Sequence, residues 1–99
     1  MVVLAALRLG PDEAYAVSIV DEIEARTARV VQRAAVYVAL RRLEQKGLVH
    51  TRMGDPLPER GGKARRLVTV DPSGLEAARE AKRAFSSLWG GLATLEGNP

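Results

Sequence analysis

The sequence contains no cysteine, which excludes disulfides, thiolate metal sites and cysteine nucleophiles. A single histidine, His50, excludes most histidine-based zinc sites and any histidine-rich active centre. Aromatic residues make up only 4% of the chain, so each of the few has to be accounted for. No apolar run approaches the roughly 18 residues that a membrane helix needs. The apolar stretch Val2 to Leu7 has no basic segment before it and no well-placed small-residue cleavage site after it. A secretory signal is therefore not expected, and the cytoplasm is the expected location. What is present is ordinary globular composition: 99 residues, 46% hydrophobic and 27% charged, enough for one domain.

The net charge of +3 hides a strong asymmetry. Residues 1–25 carry Arg8 against Asp12, Glu13, Asp21, Glu22 and Glu24. Residues 26–66 carry eleven bases against only Glu44, Asp55 and Glu59. A basic middle between acidic ends suggests a polyanion-binding surface. Taken alone, such a block is equally well a solvated face.

Periodicity places the elements. Val2 to Leu7 reads as a short buried helix stopped by Gly10-Pro11. Asp12 is a fair N-cap for a second helix to about Arg26, whose Ala16, Ile19, Val20 and Ile23 follow helical spacing. Thr27 to Val31 is a break with some strand character. A third helix fits from about Arg33 to Lys46, with Gln32 near its start and Gly47 as a left-handed stop. Val36, Leu40 and Leu43 share one face of it; Ala34, Val38, Arg41 and Gln45 share the other, with Arg33 and Tyr37 on the flank. Leu48 to Met53 and Arg66 to Val70 read as strands of a hairpin, joined by a long basic tip rich in glycine and proline. Asp71-Pro72 then supplies an N-cap and a first-turn proline. A last helix runs from about Ser73 toward Leu95, weakened at Gly90-Gly91. Its Ala78, Ala81, Phe85, Leu88, Leu92 and Leu95 keep the spacing of a coiled-coil seam.

This order predicts a mainly α fold with a small β-hairpin: a winged helix-turn-helix over residues 1–72 and a C-terminal dimerisation helix and tail over 73–99. The third helix has the length to lie in a major groove with its N-terminal residues at base edges. Gln32 then suits adenine, Ala34 or Val38 suits thymine methyls, and Arg33, Tyr37 and Arg41 suit phosphates or guanine. Arg60, Lys63 and Arg65 in the hairpin would meet phosphate or the minor groove. Gly61-Gly62-Lys63 does not make a phosphate loop, because Leu57 stands where that motif needs glycine and Ala64 where it needs Ser or Thr.

At these residues the chain resembles the PadR-like family of transcriptional regulators. The likeness rests on Gly10-Pro11, Tyr15 and Ile19, and on the run from Val36 to Val49 with its Tyr-x-x-Leu-x-x-Leu-Glu-x-x-Gly-Leu core. It extends through the run from Pro58 to Arg66 and that from Val70 to Gly74. The family often has His-Gly before the tyrosine of the second helix, where this chain has Glu13-Ala14. Its first helix usually begins further upstream, so Met1 reads as a late or trimmed start. The resemblance implies a winged-helix homodimer that represses promoters, in some members answering to a small effector, with a C-terminal helix that mediates dimerisation.

Competing readings stay beside these. Tyr37 could be a core-edge aromatic, Arg41 and Arg42 solvated charges paired with Glu44 or Gln45, and His50 a structural residue in its strand. Trp89 suits a core or dimer-interface position, or the wall of an effector pocket near a two-fold axis that takes a flat, small aromatic ligand. The runner-up function is a winged-helix module that binds protein rather than DNA. An enzyme is remote: Asp21, Glu22 and Glu24 lie on a helix without a nucleophile or a glycine-rich cradle nearby. No cofactor, metal or membrane partner is expected.

Overall fold

A computed structural model describes residues 1–56 and 64–92. In chain order the elements are α1 (Val2–Leu9), α2 (Ala16–Thr27), α3 (Arg33–Gln45), β1 (Val49–Pro56), β2 (Ala64–Val70) and α4 (Pro72–Trp89). Three helices pack around Ile19, Val36 and the small residues Ala5, Ala6 and Ala14, and the hairpin closes this core with Val49 and Val68. The strands are antiparallel, with Val49 opposite Val70 and Met53 opposite Arg66, and the register is irregular beyond Met53. This is a winged helix-turn-helix followed by a long helix, as the order of sequence signals predicts.

Asp12 does not cap α2. The helix starts at Ala16, because the segment before it is held elsewhere. Ala14 is fully buried and its carbonyl accepts from the Val68 N–H at 2.8 Å, tying the chain to β2. The Ser18 hydroxyl then reaches back to accept the Tyr15 N–H at 2.9 Å, which satisfies one of the donors a helix start leaves open. Asp12 pairs instead with Arg52 of β1 at 2.9 Å.

The strand character read into Thr27 to Val31 is not realised either. Helix α2 ends at Ala28 in the left-handed region, φ 58°. The Val31 N–H donates to the Glu24 carboxylate at 3.1 Å, which folds the segment back as the turn between α2 and α3. At the far end of α3, Gly47 takes φ 74°. The Leu48 N–H returns to the Leu43 carbonyl at 2.9 Å, a glycine-dependent helix stop.

Among the described residues, helix α4 is fastened only at its start. The Asp71 carboxylate accepts the Ser73 N–H at 2.9 Å, and Gly74 is buried where α4 meets the Leu48 carbonyl. From Arg79 to Gly91 every residue is exposed. The helix ends at Trp89 rather than near Leu95, with Gly90 extended and Gly91 at φ 89°, because two consecutive glycines supply little to hold a helical backbone. Leu92 thus lies past the helix, and Leu95 lies outside the described residues.

Candidate nucleic-acid interface

The buried stripe of α3, Val36 and Leu40 with Leu43 beside them, turns the opposite stripe outward. Gln32, at the N-cap, and Arg33, Ala34, Tyr37, Val38 and Arg41 are all exposed, so all six sequence-predicted readers on this helix fall on the accessible surface. Tyr37, Val38, Arg41, Arg42 and Gln45 line a shallow depression of about 320 Å³. Among the described residues no carboxylate pairs with Arg33, Arg41 or Arg42. Glu44, the natural intrahelical partner, is engaged elsewhere: it accepts the Thr51 hydroxyl at 2.7 Å. Thr51 in turn accepts from the Arg66 guanidinium at 3.2 Å. This Arg66–Thr51–Glu44 chain sets the hairpin against α3, and sequence reasoning missed it because it joins three separate elements.

At the acidic end of the chain, Glu22 is paired within α1 and α2. Glu22 accepts from Arg26 at 2.8 Å and from Arg8 at 3.2 Å. The Arg26 guanidinium, helped by that of Arg8, holds the Glu22 carboxyl below its usual range. The charge asymmetry of the sequence therefore becomes an α1–α2 side with its own internal pairing and an α3 side with uncompensated positive charge.

The hairpin is longer than its sequence signals suggest, so Arg65 lies inside β2 and not in the tip. It is half-buried, with its guanidinium 5.4 Å from the centre of the Tyr15 ring, a cation–π distance. Arg60 and Lys63 lie outside the described residues. Val30, in the turn before α3, is 91% exposed. It escaped notice because a β-branched pair, Val30-Val31, reads as strand, whereas only Val31 packs on the core.

The seam residues form a second surface. Phe85 is 70% and Leu88 79% exposed, and Ala78 and Ala81 line a groove of about 580 Å³ with Leu4 of α1 and Leu43 and Leu48 at the end of α3. Trp89 stacks on Phe85, ring centres 6.4 Å apart and planes 16° from parallel, so the two rings share one exposed stretch of α4. At the root of α4, His50 Nε2 lies 2.7 Å from the Asp71 carboxylate, which makes His50 a tie between β1 and the cap of α4. No group of three or more metal-ligating side chains occurs among the described residues, and no described helix is long and apolar enough to cross a membrane.

Comparison with known proteins gives one family. The model of the transcriptional regulator PadR-like family matches residues 3–80. Similar solved structures include a PadR family transcriptional regulator from Eggerthella lenta, 24% identical, covering 99% of this chain and 82% of that one with a TM-score of 0.75. Another is a PadR-like transcriptional regulator from Bacillus cereus, 15% identical, with 98% and 91% covered and a TM-score of 0.73. A transcriptional regulator from Clostridium thermocellum is 18% identical over 87% of this chain and 80% of that one, TM-score 0.70. At these identities the structural likeness is one of fold. No curated protein matches the chain significantly.

Proposed function

The chain belongs to the transcriptional regulator PadR-like family, and from that premise we propose that it binds double-stranded DNA sequence-specifically as a homodimer and represses from a palindromic operator. The observation that carries the reading is the outward face of α3, exposed along its length and bearing arginines that no described carboxylate neutralises. Thirteen residues of helix span about 20 Å, a length that suits the major groove. Residues 1–72 form the DNA-binding part of this reading, with Arg60 and Lys63 as phosphate contacts of the wing. Residues 73–99 form the assembling part. Helix α4 exposes Phe85, Leu88 and Trp89 beyond its anchored first turns, and a lone amphipathic helix gains most of its stability from packing its apolar face. A two-fold partner would supply that packing and set two copies of α3 on successive turns of a duplex. The Phe85–Trp89 stack is the surface we assign to a flat apolar effector at that axis, read out by quenching of Trp89 fluorescence. The work is placed in the cytoplasm, with the DNA, and involves no catalysis.

Titrating salt against binding to a random-sequence duplex tests the reading. The logarithm of affinity should fall with that of salt at about 0.9 per phosphate neutralised. The exposed apolar residues Val30, Tyr37 and Val38 favour a second reading, a protein-binding winged helix. A folded chain that ignores DNA at low salt would leave that one standing.

A further inference from the structure

We propose that α3 reads the 5-methyl groups of thymine through Ala34 and Val38, so that the core of each half-site consists of A·T pairs. The inference rests on the DNA-binding reading above and gives its bases a chemistry. Ala34 and Val38 are four residues apart and therefore share one meridian of the helix, the one opposite buried Val36 and Leu40. Both are exposed, Val38 by 51%.

Apolar side chains at these two positions decide against G·C pairs. Guanine is read in the major groove by a donor such as Arg or Lys, and cytosine by a carboxylate that accepts from its amino group. Ala34 and Val38 can do neither, so a G·C pair pressed against them would lose water from its polar edge without a replacement hydrogen bond. Helix α3 also offers no carboxylate before Glu44, and that one is engaged with Thr51. The thymine methyl is the one apolar group that the major groove displays, and it meets an apolar side chain at no such cost. Gln32, exposed at the N-cap, matches adenine N6 and N7 and so favours the same class of base pair. Of the two roles open to the arginines of α3, guanine or phosphate, this proposal gives Arg33, Arg41 and Arg42 the phosphates, where they add affinity without selecting a base.

The test uses the full chain and a random duplex pool, followed by resynthesis of the recovered site with deoxyuridine replacing each thymine in turn. That exchange removes one methyl group and leaves every hydrogen bond in place. The expected result is an A·T core in each half-site and a roughly fourfold weaker Kd at one or two thymines per half-site, the effect of one buried methyl. Val38→Ala should abolish that sensitivity at one of them while leaving the thermal midpoint unchanged. Recovery of a G·C core, indifference to every deoxyuridine, or sensitivities all untouched by Val38→Ala overturns the methyl reading. Duplex binding with no recovered sequence preference overturns it too, yet leaves DNA binding intact. Only a folded chain that binds no member of the pool sinks the DNA-binding reading itself.

Discussion

Ala28 holds its backbone at φ 58° at the end of α2, in the region where a β-carbon crowds the following carbonyl at a cost of about 1–2 kcal/mol. Glycine would remove that cost, at the expense of about 0.5–1 kcal/mol of extra freedom in the unfolded chain. Ala28→Gly should therefore stabilise the protein by up to about 1 kcal/mol in a denaturant titration, and a loss of stability would mean that the turn is not left-handed in solution. Asp71 carries a second residue-scale prediction. The Ser73 hydroxyl first, then His50 and the Ser73 N–H, hold its carboxyl at about 2, below the ordinary 3.8. A carboxyl depressed in the folded state stabilises at pH above its unfolded value, and that contribution is lost as pH falls from about 4 towards 2. Ser73→Ala should raise the Asp71 pKa, followed by the carboxyl carbon shift in NMR; an unmoved titration would show that the hydroxyl does not hold the cap. His50 is legible in the sequence only as a residue in a strand, since nothing local announces that Asp71, 21 positions away, is its partner.

At the scale of elements, local chemistry makes some boundaries readable and tertiary contacts overrule others. Gly47 and Asp71-Pro72 stop and start helices by their own backbone and side-chain geometry, and both are readable from the sequence. Asp12 offers equally good capping chemistry, yet α2 begins four residues later because Ala14 is committed to the core and to Val68. The approach of α4 to the end of α3 is similarly invisible in the sequence. A β-carbon on Gly74 would run into the Leu48 carbonyl oxygen and come within 3.0 Å of the Val70 side chain. Since the first of these neighbours is backbone, something must move, and Gly74→Ala should cost about 1–3 kcal/mol, as overpacked sites do. Urea unfolding checks it, and an unchanged midpoint would mean that α4 sits further from the domain than described.

The molecule as a whole is stretched. Its radius of gyration is 16.1 Å and its longest extent 56 Å, against about 13 Å for the radius of a compact 100-residue domain. The exposed half of α4 carries Phe85, Leu88 and Trp89 in one apolar patch. If that patch is the two-fold seam, Leu88→Asp would bury an unpaired charge in it, and sedimentation should find a folded monomer. A dimer that survives this change would place the assembly elsewhere, with the α1 groove as the next candidate surface. The wing is tested at the same scale, through the salt dependence of the whole complex. Replacing Arg60 and Lys63 with alanine should lower the salt slope of duplex binding by roughly 0.9 for each phosphate that a subunit no longer neutralises. An unchanged slope would remove the wing from the interface.

The sequence by itself determined what depends on neighbours along the chain: the number and order of helices and strands, the buried stripe of α3 and hence its outward stripe, the glycine and proline boundaries, and the basic middle segment. Those features follow from periodicity and backbone chemistry, which act within a few residues. The tertiary structure alone decided which charges are cancelled. Glu22 is reached from α1 by Arg8, Asp12 is paired with Arg52, and Glu44 is held by the neutral Thr51 hydroxyl, while the arginines of α3 have no carboxylate partner among the described residues. Hydrogen bonds and ion pairs form over about 3 Å, and residues as far apart in sequence as Ala14 and Val68 reach that distance only once the core has brought their elements together.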